Sequence, residues 1–99
     1  MTDRFLTPRA RLDLIEIADY IGGRSPDAAD RLLDRLMAAC EMLDRRPALG
    51  HARPDLVPLR DDIRFWPVGR YLIVYRGDPA GIQVIRILNA YRDVAALLR

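Results

Sequence analysis

Ninety-nine residues, 51% of them hydrophobic and with a net charge of +2, fit one domain (1–99) with one core and leave no room for a second. A chain of this size buries roughly 60–65% of the surface its unfolded form exposes, so it folds alone but with modest stability. A single cysteine excludes an intramolecular disulfide, one histidine beside one cysteine argues against a protein-only zinc site, and low-complexity segments are absent.

In chain order, residues 2–7 read as a short first strand. Thr7 then caps a helix whose first position is Pro8, a place where the missing N–H costs nothing. Ala10, Leu14, Ile17, Ala18 and Ile21 follow at helical spacing, and Gly22-Gly23 ends the run. Ser25 caps a second helix with Pro26 at its start and Asp27 in the first turn, where the macrodipole favours an acid. Its apolar stripe is Ala29, Leu32, Leu33, Leu36, Cys40 and Leu43, and Pro47 marks its end. The short connection makes the two helices an antiparallel hairpin.

Residues 48–62 form the longest irregular stretch, with Gly50, Pro54 and Pro58. Three β-branched, aromatic-rich runs come next, at 63–67, 71–76 and 82–88, joined by hairpin-length turns. Residues 93–99 add a last helical turn or two. The expected architecture is α+β: a short N-terminal strand plus a C-terminal three-stranded antiparallel meander, packed against the helical hairpin on one face.

The kind of charge is more informative than its sum. All sixteen basic residues are Arg, and twelve of the fourteen acids are Asp. Coding bias accounts for the missing lysines, but the consequence is chemical: no side-chain amine is available as a base or Schiff-base nucleophile. Arginines inside and at both ends of the apolar strands suggest a sheet that packs on one face and offers cations on the other. Arg86, between Ile85 and Ile87, is expected to project from the face opposite theirs. The competing reading pairs these arginines with Asp61, Asp62 and Asp78. Tyr71 and Tyr75 read as core aromatics with a wet hydroxyl, Cys40 as a small buried hydrophobe, His51 as a surface residue, and Arg92-Asp93 as the closure of the last strand. With no stretch near the ~20 apolar residues that span a bilayer and no signal-peptide pattern, a cytoplasmic protein without membrane or cofactor is expected.

The order strand, helix hairpin, Pro-x-x-Gly loop, then Arg-Phe-Trp-Pro-Val-Gly-Arg-Tyr-Leu-Ile-Val-Tyr-Arg (64–76) and Ile-x-Val-Ile-Arg-Ile-Leu-x-x-x-Arg-Asp (82–93) resembles the RelE/ParE superfamily of toxin–antitoxin toxins, the ParE branch most. The resemblance implies a growth-arresting toxin held inactive by a cognate antitoxin. ParE-like members are associated with poisoning DNA gyrase, and RelE-like members with cutting messenger RNA on the ribosome. Aligned on Tyr75, the nuclease's strand arginine corresponds to Leu72 and its C-terminal tyrosine to Leu98, while Arg92 keeps a basic position. Many relatives carry His where this chain has Asn89.

On that resemblance the chain is expected to be a binding inhibitor with no catalytic residues. Arg64, Arg70, Arg76, Arg86, Tyr91 and Arg92 are the expected target contacts, and DNA gyrase the expected target. The surplus apolar face at Leu33, Met37, Met42 and Leu43 is the expected antitoxin contact, or a contact in a homodimer or higher toxin–antitoxin assembly. The alternatives are a ribosome-dependent endoribonuclease and a non-toxic relative that only binds the antitoxin.

Overall fold

The computed structural model describes residues 4–57, 62–78 and 80–98. Thr2 and Asp3 of the expected first strand, residues 58–61 of the long loop with Pro58 and Asp61, and the side chain of Asp78 lie outside what is described. Helix α1 runs Pro8–Gly22 and α2 runs Pro26–Arg45, followed by a single 3-10 turn at Pro47–Leu49. Strands β1 (Ile63–Val68), β2 (Tyr71–Asp78) and β3 (Gly81–Asn89) form an antiparallel meander with β2 in the middle, and a short helix α3 (Val94–Leu97) closes the chain.

Both helix starts follow from local chemistry. Thr7 Oγ1 accepts the Ala10 N–H at 3.1 Å and Ser25 Oγ accepts the Ala28 N–H at 3.2 Å, each satisfying a donor that the helix itself leaves open. Among the described residues of the expected first strand there is one parallel bridge, Leu6 beside Val84. Phe5 and Thr7 supply its hydrogen bonds, and Phe5 is 1% exposed, so the segment seals the edge of β3.

The hairpin covers one face of the sheet. Ala10 and Leu14 from α1 and Leu36, Cys40 and Leu43 from α2 pack on Val68, Tyr71, Ile73, Tyr75, Ile82, Val84 and Ile87. Contrary to the sequence reading, the other face is mainly apolar among the described residues, with the exposed Arg76, opposite Ile63, at its end. It carries a second apolar cluster of Ile63, Phe65, Leu72, Val74, Leu88 and Val94, backed by Leu56, Val57, Ile85, Leu97 and Leu98. The physical reason lies in β2, whose residues Tyr71 to Tyr75 are all buried. A run of five apolar residues with no polar alternation belongs to a strand covered on both sides.

A register shift explains the second departure. Val74 pairs with Arg86 and Tyr75 with Val84, so Ile85 is an extra residue in β3, a β-bulge. The bulge puts Ile85 and Ile87 in opposite clusters, and Arg86, paired with Val74, is held between Asp13 of α1 and the Leu97 carbonyl of α3 rather than offered to solvent.

Candidate target-contact site

The β1–β2 turn passes through Gly69 at φ 58°, the left-handed region that glycine enters without steric cost, and this swings Arg70 to the end of the sheet. The Arg70 carbonyl accepts the Ala90 N–H at 2.7 Å, tying the start of β2 to the exit of β3. Asn89 shapes that exit: its Oδ1 accepts the Tyr91 N–H at 2.9 Å and its carbonyl accepts the Arg92 N–H at 3.1 Å. This is the work of an Asx turn, which needs an amide or carboxylate oxygen and no proton transfer. Tyr91 thereby meets Arg70, whose guanidinium carbon stands 5.4 Å from the ring centroid. Because Tyr91 is 79% exposed, the stack is a surface one, of the class contributing about 0.5–1 kcal/mol.

Beside this lip lies an open cleft of about 480 Å³ between α1 and the end of β3, with Arg9, Glu16, Tyr20, Arg70, Asn89 and Arg92 among its walls. Its floor is a charge pair. Arg86 Nε donates to Asp13 Oδ2 at 2.8 Å and Arg86 Nη2 to Asp13 Oδ1 at 3.0 Å, the bidentate fork that arginine offers a carboxylate. Asp13 Oδ2 also accepts the Ile87 N–H at 3.0 Å, and Arg9 approaches Oδ1 at 3.5 Å. Arg86 Nη1 donates onward to the Leu97 carbonyl at 3.1 Å. Hydrogen bonding to Asp13 raises the Arg86 pKa further above its already high value. Among the described residues Asp13 is the buried charged group, at 5% exposure.

The six arginine and tyrosine candidates therefore do not form one surface. Arg70, Tyr91 and Arg92 converge at the cleft mouth, exposed, and no described carboxylate pairs with either arginine. Arg86 lies beneath them with its side chain 14% exposed, engaged by Asp13 and the Leu97 carbonyl and so largely withdrawn from the surface. Arg64 is elsewhere: its Nη1 donates to the Gly50 carbonyl at 2.8 Å and braces the loop after α2. Arg76 pairs across strands with Gln83 Oε1 at 2.8 Å, at the opposite end of β2, about 20 Å from Arg70 at ~3.3 Å per residue.

On the hairpin, Leu33, Met37 and Met42 are half-buried and flank the first core. Leu43 is fully buried, because its helical position points at the sheet, and it has no surface to offer a partner. Cys40 is also fully buried, and desolvation with nearby Glu41 pushes its thiol up to about 12, which makes it inert. His51 is exposed, its backbone bridging Phe65. The Tyr75 hydroxyl is not wet: it donates to the Pro47 carbonyl at 2.7 Å and accepts the Gly50 N–H at 2.8 Å, and burial raises its pKa. Asp93 Oδ1 caps α3 through the Ala96 N–H at 3.2 Å.

Asp13 and Arg9 escaped the sequence reading. The signal was present: Asp13 falls between Ala10 and Ile17 on the core-facing stripe of α1, and an acid at a core position demands a buried partner.

Residues 5–94 match the sequence model of the ParE toxin of type II toxin–antitoxin systems. The chain belongs to the ParE toxin family. A toxin of Caulobacter vibrioides named RelE3 is 30% identical over 85 residues, which cover 86% of this chain and 90% of that protein. The solved structure of a chromosomal ParDE toxin–antitoxin system from P. aeruginosa is similar in fold, with a TM-score of 0.67 and 24% identity over 85% of this chain and 90% of that one. As a member of this family, the chain is a type II toxin–antitoxin toxin. No helix among the described residues is long and apolar enough to cross a membrane.

Proposed function

We propose that this ParE-family toxin arrests growth by binding DNA gyrase, with Arg70, Tyr91 and Arg92 as its leading contacts, and that a cognate antitoxin neutralises it. The observation that carries the reading is the division of labour at the cleft. Arg70 and Arg92 stand exposed at the mouth, while the buried carboxylate Asp13 is occupied by Arg86 and the Ile87 N–H. Guanidinium groups keep their charge at every relevant pH and grip carboxylate or phosphate, but they do not accept protons.

RNA cleavage by 2′-hydroxyl attack needs a base, an acid and stabilisation of the transition-state charge. The two positions that resemble the nuclease's arginine and tyrosine are Leu72 and Leu98, and both pack into the second apolar cluster. That supports a binding inhibitor over a nuclease. Half-buried Leu33 and Met37, one turn apart on α2, support antitoxin contact on the hairpin, with Met42 on the other flank of the helix, and methionines suit an adaptable interface.

The test is a titration of purified gyrase in a supercoiling assay, with RNA-end mapping after expression of the chain alone. Stoichiometric inhibition that weakens in high salt is expected, since exposed charges are screened within about 10 Å at 0.1 M salt. New message ends abolished by Arg92→Ala, with gyrase unaffected, would overturn the reading in favour of an endoribonuclease. Normal growth on expression alone would make the chain a non-toxic antitoxin binder.

A further inference from the structure

Helix α1 is charged against its own dipole. It has no acidic residue in its first turn and no basic residue in its last. Instead Arg9 and Arg11 lie near the N-terminus, and Glu16 and Asp19 lie in the C-terminal half, all of them exposed. The helix N-terminus carries partial positive charge and the C-terminus partial negative charge, so this order is unfavourable at both ends. Helix α2 in the same hairpin has the favourable order, Asp27 in its first turn and Arg45 in its last. Arg9 is balanced only partly within the chain, since Asp13 already serves Arg86 and the Ile87 N–H.

The same helix also concentrates exposed apolar surface. Among the described residues the large hydrophobics left exposed are Leu12 at 42%, Ile15 at 51%, Tyr20 at 64% and Tyr91. Three of these four are on α1. At 100° per residue Leu12, Ile15 and Asp19 share one stripe, with Arg9, Glu16 and Tyr20 along one flank.

We propose that the free toxin self-associates through α1, as a two-fold pair in which the helices run antiparallel. With the axis between Asp13 and Leu14, Leu12 packs on the partner's Ile15, and Ile15 on the partner's Leu12. A two-fold axis lying in the interface preserves the flank and reverses the direction, so Arg9 meets the partner's Glu16 on both sides. Asp19 comes to the partner's Pro8 end, the positive pole of its helix. The arrangement that is unfavourable within one chain becomes complementary between two, and the dipoles oppose. No other described helix of the chain has this polarity, which is why a second copy is the occupant that fits. A patch of one 15-residue helix falls below the standard ~800 Å² per partner, so the pair is weak and concentration-dependent.

Sedimentation velocity of the full chain over about 5–500 μM, the range suited to a small interface, tests this together with circular dichroism of each variant. Wild type is expected to shift from monomer to dimer across the series, and less so in high salt. Arg9→Glu and Glu16→Arg are each expected to weaken association about tenfold, because each contact occurs twice. The double variant is expected to recover it, which a structural effect of either change would not produce. Leu12→Asp, at an exposed site, is expected to leave a folded monomer and guards against misfolding of the charge variants. A wild type that stays monomeric throughout overturns the proposal, as does association insensitive to Leu12→Asp. Loss of antitoxin binding in Leu12→Asp, with a wild type that never dimerises, overturns it in favour of an antitoxin contact.

Discussion

The two ends of β2 carry the same residue types and do opposite things. At the Tyr75 end, one tyrosine and one arginine are consumed by backbone. The Tyr75 hydroxyl joins Gly50 to Pro47, and Arg64 donates to the Gly50 carbonyl. At the Arg70 end, the arginine side chain stacks on the tyrosine ring, no described carboxylate pairs with it, and both stay in solvent. What separates them is the supply of acceptors: the loop after α2 brings carbonyls to one end, while the Asn89 turn uses its own at the other. Arginine content alone therefore identifies no surface. The charges available to a partner are those left over after the fold has satisfied itself.

The comparison predicts a graded set of stability effects, the largest under the lip. Arg86→Ala leaves Asp13 buried with its bidentate partner gone, and is expected to cost about 3–5 kcal/mol in urea unfolding. Replacing both partners, Asp13→Leu with Arg86→Met, is expected to recover most of that loss, since removing both charges avoids an unpaired one. A double variant as unstable as Arg86→Ala would mean that the pair does more than cancel charge. At the Tyr75 end, a methyl on Gly50 would collide with the Tyr75 hydroxyl and ring. Gly50→Ala is therefore expected to cost about 3 kcal/mol through overpacking and broken hydrogen bonds. Tyr75→Phe leaves the Gly50 N–H without its partner and is expected to cost about 2 kcal/mol.

This contrast was half legible in the sequence. The caps at Thr7 and Ser25, the two-residue start signals at Pro8 and Pro26, and the meander could be read because each rests on neighbours in the chain. The Pro-x-x-Gly loop was visible as a pattern, but its reason was not, because Gly50 and Tyr75 meet across 25 positions. The bulge at Ile85 was hidden for the same reason: register is a property of two strands, and Ile85-Arg86-Ile87 read alone alternates perfectly. In the bulged strand Arg86 reaches Asp13 across the helix–sheet boundary, a contact between residues 73 positions apart. Of the candidate site, Arg70, Tyr91 and Arg92 were readable as positions, since turn residues flank them. Their isolation from acids was not readable, because it depends on where Asp13 and Asp93 are spent.

A smaller effect comes from the buried thiol below the Tyr75 end. Cys40 is held protonated up to about 12 in the folded chain, against an ordinary value of 9.0. Above pH 9 the unfolded chain releases this proton and the folded chain does not, so the unfolded state is favoured as pH rises. Stability from this group is full below pH 9 and declines between 9 and about 12, with a slope approaching ~1.4 kcal/mol per pH unit. Tyr75, also raised by burial, acts in the same direction at higher pH. Urea midpoints measured from pH 8 to 11 are expected to fall, and Cys40→Ala is expected to flatten the fall. An unchanged slope in Cys40→Ala would place the alkaline sensitivity elsewhere.

The smallest effect on stability is expected where the largest effect on activity is proposed. Arg92→Ala removes an exposed side chain that no described carboxylate pairs with and is expected to change unfolding free energy by less than about 0.5 kcal/mol, while Arg70→Ala, which also ends the stack on Tyr91, is expected to cost no more than about 1 kcal/mol. Tyr91→Ala removes the stacking partner of Arg70 and is expected to cost no more than about 1 kcal/mol. Gyrase inhibition should respond in the reverse order. The double variant Arg70→Ala/Arg92→Ala is expected to lose at least about tenfold in potency, on the scale of two exposed charge contacts to a large partner. Arg64→Ala and Arg76→Ala supply the control from the other end of β2: Arg64→Ala should lower stability while sparing inhibition. If the four variants lost inhibition equally, the two ends of β2 would be one surface after all. If stability fell as far at Arg70 as at Arg64, then the lip would be part of the fold's own framework, and the target would have to be sought on another face.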